Sequence, residues 1–598
     1  MQQTRNWKIS EPHPQAAELA SRLRTSPLLA QMLLNRGLTD AEACQDFLSP
    51  SLNMLHKPET LPGVPRAAER IAQAIRDKQK IVIYGDYDVD GITATTILYH
   101  AIRVLGGTAE CYVPHRIEEG YGLNSQALEQ LCNSGAQLII SVDCGITAIE
   151  PAAVCRQRGV DLIITDHHEA KISFAPTLTL PRSTGGRDEL ASKYELPDCY
   201  AIVHPRVGGE YSNPHLCGAG VAFKLAWAIG QAVLGQSKVS DDFRNFLLDA
   251  TALAALGTIA DVVPLIGENR VLAHFDLRGL MATNLIGIKA LIASAQLTGQ
   301  KLDSYHVGFL LAPRLNACGR MGHAGLAVEM LTTADETKAG EIAAYLQEQN
   351  VLRQRMEKQI LAAAIQQIEE LKMDGDDCRA MVVAAEGWHP GVIGIVASRL
   401  VDRFYKPAVM IALNNGHGQG SARSIPNFHI TRAFDACAGY LESFGGHEMA
   451  AGLKLKTENV DAFRHAFAQY AAEVLSPEQL IPELTLETFA ELRHLSLPLV
   501  QEVQKMAPFG HGNRRPILCL RNLEIATMPR RVGKSGDHLQ LFLRQGNSNM
   551  KAIAFNYGAM FDQLSAGRRI DLAAEATINE FNGNIKVELT VKDIQFPV

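Results

Sequence analysis

Short apolar runs alternate with longer amphipathic stretches between about residues 66 and 325. Three of these runs, within residues 81–84, 138–145 and 161–168, predict buried strands, and helical patterns separate them. Buried strands that alternate with helices are typical of a parallel sheet covered on both faces. The pattern therefore predicts an α/β fold, in which ligands bind beyond the carboxyl ends of the strands.

A stretch without Gly or Pro, residues 341–374, predicts one long helix. Its 34 residues correspond to a rod of about 50 Å. Thr333 followed by Glu336 predicts a capping box near its start. Its many charged and Gln side chains favour a partly exposed connector between two lobes over a helix buried in a bundle.

An α/β pattern resumes after this helix, and short strands at close spacing then predict a small β-barrel. The chain is thus predicted to be a multidomain α/β protein. The predicted domains are an N-terminal accessory segment (1–65), an α/β domain with a parallel sheet (66–325), a connector helix (326–374), a second α/β domain (375–465) and an OB-like barrel (470–598).

Composition is that of a globular protein with several domains: 598 residues, 47% apolar and 20% charged. Neither a signal-peptide pattern nor an apolar run long enough to span a bilayer is evident, so no membrane association is expected. Eleven cysteines without a CxxC pair argue against a zinc ribbon or a disulfide framework and fit a reducing cytoplasm. The net charge of −7 neither indicates nor excludes a nucleic-acid partner.

Acidic and imidazole side chains follow each predicted strand of the first α/β domain. If the strands are neighbours, these side chains meet at one edge of the sheet. Like charges brought together raise each other's pKa, and a cation relieves this cost. The residues are Asp86, Asp88 and Asp90 after the first strand, Asp143 after the second, Asp166, His167 and His168 after the third, and Asp261 after a fourth apolar segment.

Oxygen and imidazole ligands without thiolates suit Mn²⁺ or Mg²⁺ better than a structural zinc. The number of ligands exceeds the need of one ion, so the sequence predicts two divalent metal ions about 3.5–4 Å apart. Such a pair activates a water and neutralises charge on a phosphoryl group. Metal-assisted hydrolysis of a phosphoester is the reaction class that follows.

Four other interpretations of these motifs are less well supported. A single DxD pair is often a solvated turn. A calcium loop requires Glu where Ile97 stands, and a dinucleotide site requires a Gly-rich first turn. Cys144 beside Asp143 has no partner pattern that indicates a nucleophile.

The ordered motifs "DYDVDG", "SVDCG", "TDHH" and "GTIADVVPL" resemble those of the DHH phosphoesterase superfamily. Downstream, "GWHPGVIGIVASRL", "GSARS" and "FGGHEMAAG" resemble its associated C-terminal domain. With "RLNACGRMG", the long connector and the terminal barrel, the similarity extends over nearly the full length to the bacterial single-strand-specific exonucleases of this superfamily. It implies a DHH-type catalytic domain, a DHH-associated domain and an OB-like domain.

Position by position, the resemblance implies roles for the acidic cluster. Asp143 is expected to bridge the two ions. His168 is expected either to contact the metal ligands without binding a metal itself or to contact the scissile phosphate. Asp86 and Asp166 are expected to support the site. Tyr84 stands where smaller relatives often carry a His ligand. The implied metal ligands are Asp88, Asp90, Asp143, His167 and Asp261.

Three further regions are expected to hold DNA. Arg314, Asn316 and Arg320, in a loop-like segment, predict a phosphate clamp, with an interdomain ion pair as the alternative. The resemblance implies a pocket for the 5′-phosphate. From residue 514 to 544 seven basic residues stand against two acidic ones, which predicts a basic groove for a single strand, with few aromatic side chains. The candidates are Ser421, Arg423, Ser424, Arg116 and His447 for the pocket, and Arg514, Arg515, Arg530, Arg531 and Lys534 for the barrel.

The resemblance implies a 5′→3′ exonuclease that hydrolyses single-stranded DNA to 5′-mononucleotides in DNA repair and recombination. A monomer is expected, with single-strand-binding protein and a helicase as partners. One alternative is a phosphodiesterase of the same fold acting on short oligonucleotides or cyclic dinucleotides. Another is a catalytically inactive DNA-binding scaffold.

Overall fold

The structure is a computed structural model that describes residues 5–115, 119–172, 193–235, 239–581 and 583–597. The chain divides into two compact units. The first unit contains residues 45–350 and 506–515, and the second unit contains residues 1–44, 351–505 and 516–598.

A five-stranded sheet, parallel throughout, organises the first unit. Alternate residues of its central strands enter two separate hydrophobic cores, Ile81 and Ile83 on one face and Val82 and Tyr84 on the other. The predicted parallel sheet with two covered faces is confirmed. The sequence pattern does not predict the two edge strands, Ala109–Tyr112 and Ala201–Val203, because both are short. In spatial order the strands are Ala109–Tyr112, Ile81–Gly85, Leu138–Val142, Asp161–Thr165 and Ala201–Val203.

Helices surround this sheet, and two of them, Gly218–Leu234 and Asp241–Ala260, pack on the helix that follows the first motif, Val89–Val104. The fourth apolar segment is therefore the buried end of a helix and not a strand, since burial on all sides hides the helical period. The other helical segments are Leu52–Met54, Pro58–Thr60, Val64–Arg76, Ser125–Asn133, Ile149–Gln157, Gly267–Ala282, Ile286–Ser294, His306–Leu311, Ala312–Arg320 and Ala324–Thr332.

The long helix spans Glu336–Glu370, so it begins five residues before the predicted start and includes Gly340. Asp335 caps it, because its carboxylate accepts a hydrogen bond from the Lys338 amide at 2.8 Å. The predicted capping box at Thr333 is wrong: the chain is still in the turn that ends the preceding helix there. The residues of this helix before 351 belong to the first unit, and its later residues belong to the second.

A mixed five-stranded sheet lies in the second unit. Only the pairing of Met381–Glu386 with Ala408–Asn414 is parallel. Its remaining strands are His417–Arg423, Ala450–Lys456 and Ser443–Gly446, and its helical segments are Pro390–Phe404, Ile430–Ala436, Ala438–Tyr440, Thr457–Asn459 and Val460–Val474.

A closed barrel forms the C-terminal part of the second unit. Pairing of Glu524 with Arg544 and of Ile525 with Leu543 closes the ring of strands. This confirms the predicted OB-like fold. The ring contains Leu518–Ile525, Arg569–Phe581, Asn584–Gln595, Ser548–Ala554 and His538–Gln545, flanked by Thr488–Phe489 and Arg530–Val532. Helical segments of this part are Pro477–Leu480, Leu492–His494, Leu497–Gln504 and Gly558–Gln563.

The N-terminal strand Asn6–Ile9 pairs in parallel with Glu483–Leu486. The helices Ala16–Leu23, Pro27–Leu34 and Ala41–Leu48 follow it. Within the described ranges, no single helix combines the length and the apolar character needed to cross a bilayer, although the bent pair Gly267–Ala282 and Ile286–Ser294 passes by length and composition alone.

Candidate metal centre

Three aspartates line the turn between the first central strand and its helix. Asp88 caps the helix, accepting a hydrogen bond from the Gly91 amide at 3.0 Å, while Asp86 and Asp90 are buried. The turn is tight: a Cβ on Gly91 would lie 2.6 Å from the carbonyl oxygen of Asp86. Glycine is therefore required at the position where the three carboxylates are brought together.

Asp90 is held by the N-terminus of the helix Gly218–Leu234. Its carboxylate accepts hydrogen bonds from the amides of Gly218 at 2.6 Å and Ala219 at 2.8 Å. Burial nevertheless raises the pKa of Asp90. Gly257 makes room for it, since a Cβ there would lie 2.4 Å from the Asp90 Oδ1. Two helices thus position one buried carboxylate.

Asp143 lies beside these carboxylates in a left-handed backbone conformation, with φ of +62°. Its amide donates to the Thr165 carbonyl at 2.9 Å, which ties it to the next strand. A Cβ on Gly218 would lie 2.7 Å from the Asp143 side chain, so the carboxylate is closely packed. Burial, followed by the carboxylates of Asp90 and Asp88, raises the pKa of Asp143 well above its usual range.

Asp166 organises the third motif through four hydrogen bonds. One oxygen accepts from the Ile146 amide at 2.9 Å, and the other from the amides of His167 and His168 and from the His168 ring at 2.8 Å. Burial alone would raise the pKa of Asp166, but these bonds lower it. For His168 the signs are reversed: burial lowers the pKa of the imidazole, but Asp166 outweighs this effect and raises that pKa to about 9. His168 is consequently a cation at neutral pH.

His167 has the opposite charge preference. Burial lowers its pKa to about 4, so the ring is neutral at pH 7. Its Nε2 lies 3.1 Å from Asp143 Oδ1, 3.6 Å from Asp261 Oδ2 and 3.7 Å from Asp90 Oδ2. Neither this nitrogen nor Asp143 Oδ1 makes a hydrogen bond to any described residue, although both atoms are buried. Buried polar atoms left in this state are expected where an ion belongs.

The donor atoms form three overlapping groups, in each of which they lie within 4.8 Å of one another. Two of the three contain Asp143. Burial, followed by the carboxylates of Asp90 and Asp88, raises the pKa of Asp261 to about 8. The donor set therefore fits divalent ions that prefer oxygen and imidazole. The groups are Asp86, Asp88 and Asp143; Asp90, His167 and Asp261; and Asp143, His167 and His168.

Asp86 belongs to the first of these groups: one of its carboxylate oxygens lies within 4.8 Å of a carboxylate oxygen of Asp88 and of one of Asp143. The hydroxyl of Tyr84 instead donates to the Gly122 carbonyl at 3.1 Å. Asp86 thus offers a carboxylate ligand in a site where Tyr84 offers none.

Two residues next to the third motif carry no signal in the sequence. The His204 Nδ1 accepts from the Arg206 amide at 3.0 Å, so its Nε2 donates to the His168 carbonyl at 2.8 Å. Tyr121 places its hydroxyl 3.1 Å from the His168 Nδ1. Both residues are distant in sequence from the third motif, so only the folded chain reveals them.

The predicted phosphate clamp lies on a helix, Ala312–Arg320, and not in a loop. Arg314 is buried and donates to the Leu310 carbonyl, while its Nε has no hydrogen-bond partner among the described residues. Arg320 ends the helix. Asn316 accepts from the Val89 amide at 3.3 Å, so it supports the aspartate-rich turn of the first motif.

Arg514 and Arg515 group with the first unit, and the first strand of the barrel ring begins after them at Leu518. Arg515 pairs with Asp303 at 3.0 Å and lies over the Phe509 ring. The reason is tertiary: the guanidinium of Arg270 donates to the backbone carbonyls of residues 506–508 and holds this segment.

The predicted anion pocket of the second unit is built on a strand. Arg423 donates to Ser421 Oγ at 3.1 Å, whereas Ser424 is buried and donates to the Phe428 carbonyl at 2.6 Å. Ser424 therefore has a structural hydrogen bond instead of a free hydroxyl. Gly418 and Gly420 face Ile411 and Leu453, so packing explains these glycines without an anion.

The other predicted DNA contacts are exposed. His447 follows the strand Ser443–Gly446, and Arg530 and Lys534 lie on the barrel surface. Arg531 is also exposed and lies 4.9 Å from the Phe561 ring centre. Arg116 is outside the described residues.

Three family models match the chain. They are the DHH family, N-terminal domain, over residues 80–255, the DHHA1 domain over 378–473, and the RecJ OB domain over 487–593.

Relatives match over nearly the whole chain. A Bacillus subtilis "Single-stranded-DNA-specific exonuclease RecJ" is 38% identical across 98% of this chain and 70% of its own length. The protein of that name from Haemophilus influenzae is 32% identical across 95% and 96%. The crystal structure of RecJ in complex with Mn²⁺ from Thermus thermophilus superposes with a TM-score of 0.81 at 28% identity, covering 99% and 80%. A structure of that protein with Mg²⁺ superposes at 0.73 and 27%, covering 99% and 79%.

Proposed function

The chain belongs to the family of RecJ single-stranded-DNA-specific exonucleases, and we propose that it degrades single-stranded DNA from the 5′ end to 5′-mononucleotides. The observation that carries this proposal is the buried acidic and imidazole cluster that shares Asp143. An inactive scaffold has no reason to keep such a cluster, whose carboxylates destabilise the fold in the absence of cations.

Two divalent ions, Mn²⁺ or Mg²⁺, are the cofactors that fit the cluster. Asp143 is the proposed shared ligand, with Asp86 and Asp88 on one side and Asp90, His167 and Asp261 on the other. Such ions supply a water of lowered pKa and neutralise charge on a phosphoryl group. His167 suits a ligand role because it is neutral at pH 7 and its Nε2 is buried without a hydrogen bond to any described residue.

His168 is the proposed contact to the scissile phosphate. Its ring is held by Asp166, remains protonated at neutral pH and has a side chain 39% exposed, so it can donate to an anionic oxygen. Asp166 acts through His168 and is a positioning residue. Asn316 positions the turn of the first motif by accepting from the Val89 amide.

Polarity and strand preference are proposed to come from groups outside the cluster. Ser421 and Arg423 are the proposed donors to the terminal 5′-phosphate, with Arg116 and His447 as further candidates. Arg314 and Arg320 are proposed to contribute positive charge for the strand, and Arg530, Arg531 and Lys534 a basic surface on the barrel. Arg514 and Arg515 contribute their charge on the first unit instead.

The cellular setting is also a proposal. We infer a cytoplasmic monomer that acts in DNA repair and recombination. Single-strand-binding protein and a helicase are the proposed partners, because they supply and hold the single strands that such an enzyme consumes.

Digestion of labelled single-stranded DNA tests the function. The protein is incubated with strands labelled at either end, with a blunt duplex and with a dinucleotide, in Mn²⁺, Mg²⁺ or EDTA. Mononucleotides released first from the 5′ end, only with divalent ions and much faster from single strands, support the proposal. Equal rates from both ends would contradict the polarity, and preference for the dinucleotide would favour the short-substrate phosphodiesterase.

A further inference from the structure

Two aromatic side chains lie exposed and stacked on the surface of the first unit. The rings of Tyr305 and Phe309 are 4.9 Å apart with an interplanar angle of 25°, and the residues are 55% and 65% exposed. Their neighbours Val307 and Leu311 are fully buried, so the pair occupies the outer face of this helical segment. Exposed aromatic pairs of this kind need an explanation, because burial of aromatic surface is strongly favourable.

The segment that carries the pair has an unusual backbone. Residues 306–311 form a π-helical turn, a rare element that is frequent at functional sites. The wider turn continues directly into Ala312–Arg320. The helical segment thereby presents both rings on one side while it stays packed on the helix Asp241–Ala260.

This segment leads directly to the metal centre. Asn316, seven residues after Phe309, accepts from the Val89 amide in the aspartate-rich turn. Seven helical residues span about 10 Å. The segment also lies near the fourth motif. A Cβ added to Gly308 would lie 3.9 Å from the side chain of Ile259, and Ile259 stands two residues before Asp261. The aromatic pair therefore lies on a helical segment that contacts the neighbourhood of the proposed cleavage site through both Asn316 and Gly308.

Basic side chains lie in the same unit as the pair, and one of them lies near the start of the segment. Arg515 is held beside the segment by Asp303, and Arg514 and Lys301 are exposed in the same unit. Ser304 donates to the Phe509 carbonyl, which fixes the start of the helical segment against residues 506–515. Aromatic faces beside cations are the chemistry that binds single-stranded nucleic acid, in which bases stack and phosphates pair.

We propose that Tyr305 and Phe309 form a stacking platform for unpaired bases of the DNA strand that enters the metal centre. This inference rests on the proposed function and extends it to two named residues. Stacking requires bases free of a duplex, so the platform contributes to the preference for single strands.

Binding in EDTA tests the platform without hydrolysis. The variants are Tyr305→Ala/Phe309→Ala and Phe309→Leu, compared with the conservative Phe309→Trp. Val104→Ala is the matched control, because Val104 is 50% exposed and ends the helix whose first turn carries Asp90, about 21 Å away. The probe is a fluorescent single-stranded oligonucleotide and a series of copies with one abasic position each, measured by anisotropy.

The double variant is expected to bind the intact strand about five- to hundredfold more weakly than the wild type. Phe309→Leu is expected to show a smaller loss of affinity. Phe309→Trp and Val104→Ala are expected to bind as the wild type does. One abasic position is expected to weaken wild-type binding and to have no further effect in the double variant. Unchanged affinity in the double variant, or an equal loss on every abasic strand, would overturn the proposal.

Failure of the platform is distinguishable from failure of the proposed function. If the wild type degrades single strands while the double variant binds them normally, only the platform is wrong. If the wild type degrades no single-stranded DNA with any divalent ion, the proposed function is wrong as well. Melting temperatures of all variants are expected to match the wild type, because the substituted side chains are exposed.

Discussion

The Nε2 of His167 lies 3.1 Å from Asp143 Oδ1, and both atoms are buried without a hydrogen bond to any residue that the structure describes. Two buried polar atoms thus face the same space. That arrangement is unfavourable unless a cation lies between or beside them. It is the physical reason why the cluster is interpreted as a metal centre.

Asp143→Asn is expected to lower metal-dependent hydrolysis of single-stranded DNA by about a thousandfold or more, because metal chemistry supplies several kcal/mol. Asn is the appropriate replacement, since it tolerates the left-handed conformation at this position. In EDTA the variant is expected to melt at a higher temperature, because Asn has no carboxyl group whose ionisation is disfavoured by burial and by the neighbouring carboxylates. Initial rates and melting curves measure both effects. Asp198→Asn, an exposed carboxylate of the same unit, is the control, and normal hydrolysis by Asp143→Asn would exclude the shared-ligand role.

Stability of the metal-free protein is expected to fall as pH rises from 6.5 to 9. Asp261 has its pKa raised to about 8, so the folded chain binds a proton there that the unfolded chain has already lost, and this stabilisation disappears as pH rises through 8. The pKa of His168 is raised to about 9, so the stability that its protonated ring contributes is likewise lost as pH rises from 6.5 towards 9. The melting temperature in EDTA measures the slope.

Added Mn²⁺ is expected to reverse this slope, because the ion competes with protons for the same carboxylates. Asp261→Asn is expected to flatten the slope in EDTA. A metal-free melting temperature that does not change between pH 6.5 and 9 would show that the carboxylates do not share one site.

Asp166→Asn is expected to lower the pKa of His168 from about 9 towards the ordinary value for histidine, because the carboxylate that stabilises the imidazolium is removed. Proton titration by NMR of histidine-labelled, metal-free protein measures the shift. Hydrolysis is expected to become slower with little change in metal affinity. An unchanged pKa of His168 in this variant would contradict its pairing with Asp166.

Gly257→Ala is expected to weaken Mn²⁺ binding and hydrolysis while the chain still folds. The new Cβ would lie 2.4 Å from the Asp90 Oδ1 and 2.5 Å from the Ala219 Cβ, so the carboxylate must move. Gly325→Ala and Gly340→Ala are matched controls, because both lie in helices with nothing within 4 Å of the added carbon. Calorimetric titration with Mn²⁺ compares the three. Equal affinities would mean that Asp90 is not a ligand.

The parallel sheet and the location of three motifs at its carboxyl edge followed from the sequence, because apolar runs ending in Asp or His carry a local signal. The motif that contains Asp261 is recognisable in the sequence. The helix that ends there is not, because an apolar run buried on all sides lacks the helical period of alternating apolar and polar residues. Tertiary contacts, not local sequence, group residues 506–515 with the first unit, so the sequence pattern alone does not show this placement of Arg515.

Other features depend on long-range contacts and carry no pattern in the sequence. Gly218 and Ala219 bind Asp90 from more than a hundred residues away, and His204 supports His168 across a separate strand. The exposure of Tyr305 and Phe309 cannot be predicted from the sequence either, because aromatic residues at apolar spacing in a helix or strand are more often buried. The assigned roles of the DNA-binding side chains remain predictions.

Anomalous diffraction from crystals grown with Mn²⁺ tests the central claim most directly. Two manganese peaks are predicted, both within ligand distance of the Asp143 carboxylate, one near Asp86 and Asp88 and the other near Asp90, His167 and Asp261. A fully occupied manganese position elsewhere in the chain, with no peak beside Asp143, would contradict the account.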